Sequence, residues 1–439
     1  MNDIFRYTAM QLVRLLQEGN ISAEELCGEY LRRIRAHGRL RAVGQLNAEV
    51  LRQARYIDAL PRGERGALCG LPLLVKDNID VAGLHTTAGS EALADNLAAH
   101  DAPVVANLRR HGALILGKSN MTEFANYTSE GMPNGFSSHG GQVLHAYGDD
   151  LDASGSSTGS AVAVSAGLCA AAVGTDTFFS IVGCASEHSI TGYKPLHGAL
   201  SAQGIVPIAR TLDSAGPMTR DVADALLLYN AMRDEPLPGI TPLAPSSLRL
   251  AVNMHGRDEV SDGQMAAYRH VIEALERDGG SVLELTHPQP DNGSLIMACE
   301  FRQHFGDYLA QASTPLKSLE DIIAFYEANP AHMPYGISQL HGALHHSTHD
   351  AAYQALLVVR SKLRAELTDS LRDIDAVLMT GPIDVMHIVG FPSIALPLGM
   401  NDAGHPRGMI LYGADERRLL AAALTLEGYC QPVAPPFSF

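Results

Sequence analysis

Apolar residues near the start of the chain recur at the three- and four-residue spacing of an amphipathic helix. Residues 8–36 follow this pattern, with Leu12 and Leu16 on one apolar stripe. Ser22 stands three residues before Glu25, which is the spacing of a capping box at a helix start. This region is therefore predicted to form two helices that cover the rest of the protein and carry no catalytic group.

Further along, short apolar runs of strand length alternate with helical patterns. The predicted strands include Leu71–Val75, Ala113–Gly117, Leu248–Asn253, Ser281–Leu285, Ala376–Met379, Ile394–Pro397 and Met409–Leu411. The predicted helices include Ala102–His111, Arg220–Met232, Asp262–Asp278 and Arg417–Glu427. Such alternation is typical of an α/β protein. We expect a large mixed β-sheet sandwiched between layers of α-helices.

Four other segments lack this alternation. Thr128–Asp152 is rich in Gly, Ser, Asn and His and is predicted to be a long loop, a class of loop that is often functional. Ser201–Thr211 is predicted to be extended, and the proline-rich Pro236–Pro245 to be a connection. Residues 295–372 are predicted to be mainly helical, with prolines interrupting the helices.

The most unusual stretch consists almost entirely of small residues. It runs from Gly155 to Gly167 and continues from Gly174 to Ser180, with serines near both ends. The apolar segment between those ends carries few charges, which predicts a buried helix. Small residues let backbones approach closely. Hydroxyls surrounded by backbone N–H groups suit attack on a carbonyl, where a hydroxyl is the nucleophile and N–H donors stabilise the oxyanion.

Attack by a serine needs a base, and this stretch contains no histidine. Upstream, the apolar run Leu71–Val75 is followed directly by Lys76, the pattern of a buried strand that ends in a cation. Burial lowers the pKa of a lysine, and a neutral lysine is a competent base. The chain has 27 arginines and 5 lysines, so its surface charge comes from arginine and each lysine is informative. The alternative for Lys76 is an ordinary strand-end cation.

These segments together resemble the amidase signature family of serine hydrolases. The resemblance is carried by Lys76, by the Gly-Ser-Ser-x-Gly-Ser run at 155–160 and by the Gly-Thr-Asp-Thr-x-x-Ser run at 174–180, and it extends from about Thr8 to Gln431. It implies the family's fold and a Ser–Ser–Lys triad, in which Ser180 is the nucleophile, Ser156 the bridging serine and Lys76 the base. It also implies a cis peptide bond before Ser156.

The resemblance further implies an oxyanion hole formed by backbone N–H groups of Thr177, Phe178, Phe179 and Ser180. Two glycines usually precede the nucleophile in the family, whereas this chain has Phe178 and Phe179. The donors remain, because every residue except proline has a backbone N–H. Phenylalanine disfavours positive φ, so we expect the loop to differ in shape. We also expect the two rings to add bulk near the acyl pocket or to support the loop from behind.

A second departure follows the nucleophile. The family often has an arginine two residues later, near the preceding aspartate, but here these positions are Val182 and Asp176. Gly183-Cys184 also stands where a proline is usual. Asp176 therefore needs another partner. Peptide-amidase-like members also lack that arginine, which favours their branch over the transamidase subunits.

The implied function is hydrolysis of a carboxamide C–N bond in a small-molecule substrate through a Ser180 acyl-enzyme, with no metal or organic cofactor. Three alternatives stay open: a glutamine-dependent amidotransferase subunit, an amide synthase that transfers the acyl group to an amine, and a catalytically inactive homologue kept as a binding or scaffold protein. Four aromatic residues of the helical segment are candidates to line an apolar pocket: Phe301, Tyr308, Phe325 and Tyr326.

Two rival patterns occur in the chain. Residues 155–159 match the G-x-S-x-G nucleophile elbow, but the acidic, turn-like residues before them do not resemble the strand that this elbow requires. His341, His345 and His349 would share one face of a helix and, with His346 and Asp350, suggest a metal site. We favour a solvated helix face or a pocket wall, because no further carboxylate or cysteine pattern accompanies them.

Charge and composition bound the partners and the location. The net charge is −16 and only 18% of the residues are charged, which disfavours nucleic acid and anionic membranes as partners. The six cysteines are scattered without a Cys-x-x-Cys pair, the N-terminus lacks the pattern of a signal peptide, and the longest apolar run is too short to span a bilayer. We therefore expect a cytoplasmic protein with reduced thiols, and we allow for a homodimer.

The predicted domain organisation is a single amidase-signature domain spanning residues 1–439. Within it, residues 1–60 form the N-terminal helical cover and residues 61–235 the catalytic core. Residues 246–439 supply the remaining sheet and the variable helices of the substrate pocket. At this length the chain can bury a large core, although length alone suggests two or three domains.

Overall fold

The computed structural model describes residues 4–237, 239–290, 293–401 and 403–437. Its strands join in one eleven-stranded sheet within these residues, in the order β1-β3-β2-β4-β6-β5-β10-β11-β9-β7-β8. The strands are β1 (Val43–Leu46), β2 (Pro72–Lys76), β3 (Leu114–Ser119), β4 (Ala171–Asp176), β5 (Thr191–Lys194), β6 (Ser214–Thr219), β7 (Arg249–Asn253), β8 (Ser281–Leu285), β9 (Ala376–Met379), β10 (Ser393–Met400) and β11 (Pro406–Tyr412).

The sheet is mixed, as expected. β2 pairs in parallel with both β3 and β4, and β7 pairs in parallel with both β8 and β9. The remaining neighbours are antiparallel, including the pair of β5 and β10 that links the first half of the chain to the second. The α/β prediction is confirmed.

Helices flank this sheet. They are α1 (Ala9–Glu18), α2 (Ala23–Ala36), α3 (Val50–Ala59), α4 (Pro103–Arg110), α5 (Thr158–Ser165), α6 (Val182–Glu187), α7 (Val222–Met232), α8 (Asp262–Arg277), α9 (Gly293–Gln311), α10 (Leu319–Ala328), α11 (Ser338–Ala343), α12 (Ala351–Ser370), α13 (Val385–Ile388) and α14 (Glu416–Leu426). The predicted capping box is present at the start of α2, where the Ser22 hydroxyl accepts the Glu25 N–H. No helix in the described residues is both long and apolar enough to cross a bilayer.

Three buried apolar clusters hold the layers together. One joins α1, α2 and α5 to the strands around β2 and β4. A second joins α7, α8 and α14 to β7, β9, β10 and β11. The third packs α9, α10 and α11 against residues 124–132. The helical segment predicted at 295–372 is thus a layer with its own core, built beside the long loop that begins near residue 128.

The predicted buried helix is present as α5, but it covers only the first part of the apolar segment between Gly159 and Gly174. Helix α5 ends at Ser165, Gly167 adopts φ 68°, and the chain then enters β4. A short apolar run fits a buried helix and a buried strand equally well. Gly167 decides between them, because glycine adopts the left-handed conformation that ends a helix.

One further expectation needs correction. Ser201–Thr211 is irregular rather than a strand, with an isolated bridge between Ile79 and Ile205. The strands of this region are β5 and β6, which lie on either side of it and which the sequence pattern did not reveal. Residues 128–152 form no helix or strand, as predicted. Pro236–Pro245 is an irregular connection, although Pro238 lies outside the described residues.

Candidate active site

The site lies where β2 and β4 end. Lys76 is the last residue of β2, and Thr175 is on its parallel neighbour β4. The carboxyl ends of parallel strands meet at one edge of a sheet, which brings these two side chains together. Ser156 precedes α5, and Ser180 lies in the loop between β4 and α6. Residues far apart in sequence therefore converge on one edge.

Lys76, Ser156 and Ser180 form a continuous chain of hydrogen bonds. Lys76 Nζ lies 2.8 Å from Ser156 Oγ, and Ser156 Oγ lies 3.1 Å from Ser180 Oγ. Lys76 Nζ also donates to Thr175 Oγ1 at 2.8 Å and to the Thr175 carbonyl at 3.2 Å. The structure thus brings together the three residues that the resemblance implied.

Lys76 is fully buried and, within the described residues, makes no ion pair with a carboxylate. Burial lowers the pKa of Lys76 from 10.5 to about 7, because the charged amine loses its water. The Asp176 and Asp213 carboxylates act in the opposite direction without restoring the ordinary value. A substantial fraction of this lysine is therefore neutral near neutral pH.

The bridging serine is held by tight backbone packing. The Gly155–Ser156 peptide bond is cis, as the resemblance implied. A Cβ at position 155 would lie 2.6 Å from Thr122 Oγ1, so glycine is required there. Ser157 Oγ donates to the Thr175 carbonyl at 2.9 Å, and Thr158 Oγ1 donates to the Ser154 carbonyl at 2.6 Å. The Thr158 hydroxyl thus bonds the backbone locally, as expected, whereas the Ser157 hydroxyl bonds the backbone of β4, and both fix the loop that carries Ser156.

The loop before Ser180 presents several backbone donors. Within the described residues, the N–H groups of Thr177, Phe178 and Ser180 have no hydrogen-bond acceptor. The Phe179 N–H is already bonded, to His387 Nε2 at 3.3 Å. Phe179 adopts φ 61°, a conformation that a bulky residue seldom takes. The loop thus keeps three of the four implied donors available.

Asp176 finds its partner in His387. Asp176 Oδ1 lies 3.2 Å from His387 Nδ1, and both side chains are fully buried. Asp176 Oδ2 accepts the N–H of Ile181 at 2.6 Å and that of Val182 at 3.2 Å. Burial alone would raise the pKa of the Asp176 carboxyl, but His387, Lys194 and the Ile181 N–H together hold it below its ordinary value. Asp176 thus binds the loop on both sides of Ser180.

Cavities adjoin this loop on two sides. One is lined by Thr175, Thr177 and Asp213. Another, of about 390 Å³, is lined by Ser154 and Phe179. Ser180 itself is buried, with 6% of its surface exposed. The nucleophile is therefore largely shielded from solvent.

The four predicted aromatic pocket residues lie in or beside the α9–α11 cluster. Phe301 is buried and stacks on Phe305, with ring centroids 5.1 Å apart. Tyr308 lines a cavity of about 600 Å³, and its hydroxyl donates to Asp80 at 2.8 Å. Phe325 and Tyr326 pack together on α10, and the Tyr326 hydroxyl donates to Glu123. Their place in the substrate pocket stays a prediction.

Sequence reasoning missed two functional candidates. Thr175 lies inside the Gly-Thr-Asp-Thr-x-x-Ser motif at 174–180, so this motif was the signal that could have placed it near Lys76. His387 had no such cue: it belongs to the four-residue helix α13, and 207 residues separate it from Ser180 in the sequence. The pairing of β5 with β10, and the bond from Lys194 Nζ to the Phe391 carbonyl, bring that part of the chain to the site.

The histidine pattern at 341–349 does not form the predicted helix face. Helix α11 ends at Ala343 and α12 begins at Ala351, so His345 and His349 lie in the connection. Instead, His346 and Asp350 approach Cys299 of α9, with their ligand atoms within 4.8 Å of one another. Cys299 Sγ lies 3.8 Å from Asp350 Oδ2. The expectation that no metal takes part in the reaction stays a prediction.

Comparison with known proteins places the chain in a family. The model of the amidase family matches residues 25–388. A probable amidase from Arabidopsis thaliana is 31% identical over 93% of this chain and 87% of its own length. A glutamyl-tRNA(Gln) amidotransferase subunit from Cupriavidus necator is 31% identical, with 94% of each chain covered. The solved structure of peptide amidase from Stenotrophomonas maltophilia has a TM-score of 0.88 and 30% identity, and 98% of each chain is covered.

The mixed sheet is thus that of an amide-hydrolysing enzyme. The chain belongs to the amidase family and is an amidase of the amidase signature group.

Proposed function

We propose that this amidase hydrolyses a carboxamide C–N bond through an acyl-enzyme on Ser180, with Ser156 and Lys76 relaying the proton. One observation carries the proposal. A buried lysine without a carboxylate partner in the described residues is joined through Ser156 to a serine that follows a loop of free N–H groups. A nucleophile, a base connected to it and oxyanion donors are the three parts that acyl transfer needs.

The hydrogen bonds of Lys76 suit a neutral base. A neutral amine has two N–H donors and one lone pair. The charged amine donates to all three neighbouring oxygens, to Ser156 Oγ at 2.8 Å and to the two Thr175 oxygens at 2.8 and 3.2 Å. In the neutral form the two Thr175 oxygens can keep both N–H donors, and the lone pair can then accept the proton of the Ser156 hydroxyl. A lysine paired with a carboxylate would stay charged and could not accept a proton.

In acylation, Ser180 Oγ attacks the amide carbon while its proton passes through Ser156 to Lys76. The carbonyl oxygen becomes an oxyanion, and the N–H groups of Thr177, Phe178 and Ser180 are the donors available to it. Loss of one such donor typically costs about 3–4 kcal/mol of transition-state stabilisation. The relay then returns the proton to the amide nitrogen, and the C–N bond breaks.

In deacylation, water attacks the ester carbon and gives its proton to the same relay. The second tetrahedral intermediate collapses, the carboxylic acid leaves, and the relay returns the proton to Ser180 Oγ. No atom is left over, and neither step changes an oxidation state. The cycle therefore needs only the amide and water as reactants.

The deciding experiment uses two single variants and a panel of aliphatic, aromatic and peptide C-terminal amides. We expect Ser180→Ala and Lys76→Ala each to lower kcat by at least about 10⁴-fold with the fold retained, because members of one relay fail together. Circular dichroism would check the fold. A fluorophosphonate should label wild type on the Ser180 peptide and leave Ser180→Ala unlabelled.

Ser165→Ala is the matched control. Ser165 lies on α5, and its hydroxyl donates to the Val162 carbonyl of the same helix at 3.2 Å. This variant should keep full activity. Undiminished hydrolysis by Ser180→Ala would refute the acyl-enzyme, and an unlabelled, inactive wild type would favour the inactive homologue.

Amide transfer is the second candidate, because the amidotransferase protein from Cupriavidus necator is similar to this chain over 94% of its length. The same panel of amides distinguishes hydrolysis from amide transfer. An amidase releases ammonia and free acid at equal rates, and added hydroxylamine diverts only part of the acyl group to hydroxamate. Activity confined to glutamine would favour the amidotransferase, and product formed only with an added amine would favour the amide synthase.

A further inference from the structure

His387 lies where two departures of the sequence meet. The chain has Val182 where an arginine near Asp176 was expected, and Phe178-Phe179 where two glycines were expected. The His387 ring contacts a residue affected by each departure. Its Nδ1 lies 3.2 Å from Asp176, which lacks the arginine, and its Nε2 lies 3.3 Å from the N–H of Phe179, which replaces a glycine. We propose that His387 is a positioning residue which, together with Asp176, holds the nucleophile loop in its reactive shape. This inference rests on the function proposed above.

The two contacts define the protonation of the ring. The Phe179 N–H donates to Nε2, so Nε2 must be the unprotonated nitrogen. Nδ1 then carries the hydrogen and faces the Asp176 carboxylate. The ring thus offers an acceptor nitrogen to the Phe179 N–H and its other nitrogen to the Asp176 carboxylate, a combination that an arginine could not supply, because a guanidinium has no acceptor.

Asp176 and His387 depend on each other. Asp176 Oδ1 and His387 Nδ1 lie 3.2 Å apart but lack the alignment of a hydrogen bond, and within the described residues neither atom has a hydrogen-bond partner. Both side chains are fully buried, where a polar group without a partner is costly. Loss of either side chain would leave the other unpaired.

The pair acts on the loop from both ends. Asp176 holds the N–H groups of Ile181 and Val182, which follow the nucleophile. His387 holds the Phe179 N–H, which precedes it, and its ring packs edge-on against the Phe179 ring at 4.4 Å.

The contacts of His387 also stabilise the unusual backbone conformation of Phe179. A phenylalanine at φ 61° is in a strained backbone conformation, which persists only where its surroundings hold it there. The contacts of His387 with the N–H and the ring of Phe179 are such surroundings. With Phe179 fixed, the Phe178 and Ser180 N–H groups stay unbonded in the described structure and Ser180 Oγ stays directed at Ser156.

The test compares His387→Ala with His387→Gln. The alanine removes both contacts, and we expect kcat to fall about 10²-fold with KM nearly unchanged, because a small displacement of the reacting groups has that effect. The glutamine can place Oε1 near the Nε2 position and accept the Phe179 N–H. It should recover about tenfold of the lost kcat. The rate of fluorophosphonate labelling at Ser180 should follow kcat.

His287→Ala is the matched control, since His287 is also buried and its Nδ1 contacts the Tyr412 hydroxyl at 2.7 Å. If His387 contributed only to the stability of the fold, His387→Ala and His287→Ala would have similar thermal midpoints and similar kcat values. Unchanged kcat in His387→Ala, or the same kcat loss in His287→Ala, would overturn the inference.

A measurement independent of activity separates this inference from the proposed function. Hydrogen exchange in the peptide covering 177–182 should be faster in His387→Ala than in wild type and in His287→Ala. If exchange is faster in His387→Ala while wild type neither hydrolyses amides nor labels, the acyl-enzyme is refuted and the positioning role is kept. Equal exchange in all three proteins would refute the positioning role.

Discussion

Lys76 is held by three oxygen atoms of Ser156 and Thr175, and burial sets its charge. Its position after an apolar run is visible in the sequence. Its proximity to Ser156 and Ser180 was expected from the family resemblance. The absence of a carboxylate partner in the described residues was not visible, because it depends on where every acidic side chain lies after folding. That absence leaves desolvation as the largest effect on the Lys76 pKa.

The pH dependence of kcat/KM follows from this residue. Burial lowers the Lys76 pKa to about 7, so the amine is mostly neutral above pH 7 and mostly charged below it. Only the neutral amine accepts the Ser180 proton. We therefore expect kcat/KM to fall about tenfold per pH unit below a midpoint near 7 and to level off above it.

Glu123 is the control for this profile. Burial raises the pKa of the Glu123 carboxyl to about 7 as well, although this side chain bonds Tyr326 and the Ser138 N–H instead of the triad. The acidic limb should persist in Glu123→Gln. A midpoint near the ordinary lysine value, or its disappearance in Glu123→Gln, would contradict Lys76 as the titrating base.

Helix α5 shows how one element sets the position of the bridging serine. Ser156 lies two residues before the helix, and α5 starts against the backbone of Asn120 and Ala42. The sequence pattern predicted a helix near here but extended it into β4. The reason is physical: the run from Gly159 to Gly174 is buried on all sides, so no apolar–polar period marks where the helix ends.

Gly159→Ala tests this contact. A Cβ at position 159 would lie 2.3 Å from the Asn120 carbonyl oxygen and 2.4 Å from that of Ala42, and neither backbone atom can move freely. We expect the free energy of unfolding to fall by about 1–3 kcal/mol. The activity of the folded fraction should also fall, because α5 must shift and take Ser156 with it. Urea unfolding followed by circular dichroism would measure the first effect.

The matched control is Gly28→Ala in α2. A Cβ there meets no atom within 4 Å, so the substitution adds only helix propensity. It should raise the free energy of unfolding by up to about 1 kcal/mol and leave kcat unchanged. An equal response of the two variants would show that α5 does not depend on close approach at Gly159.

At the scale of the whole molecule, a continuous sheet links distant parts of the sequence. β1 pairs with β3, and β5 pairs with β10, so the predicted N-terminal cover and the C-terminal strands share one sheet with the site. Asp224 of α7 also accepts the N–H groups of Ala9 and Met10 at the start of α1. The predicted division of the domain into parts that meet near residues 60 and 246 stays a prediction. In the described residues the strands of all three parts belong to one sheet.

We therefore expect one cooperative unfolding transition, although a chain of 439 residues is longer than most two-state proteins. The chain has no tryptophan, so tyrosine fluorescence, far-ultraviolet circular dichroism and fluorophosphonate labelling are the probes. Their urea midpoints should coincide. Two separated transitions, with labelling lost in the first, would show that the cover or the C-terminal region unfolds on its own.

The sequence by itself determined the class of fold and most element positions, because periodic apolar spacing is a local property of a chain. Its motifs, through their resemblance to the amidase signature family, also singled out Lys76, Ser156 and Ser180 as a group. The tertiary structure alone decided what surrounds them. His387 reaches Asp176 and Phe179 because β10 pairs with β5, and His346 approaches Cys299 instead of its neighbouring histidines because α11 ends early. Such contacts depend on the path of the chain between distant residues, and no local pattern records that path.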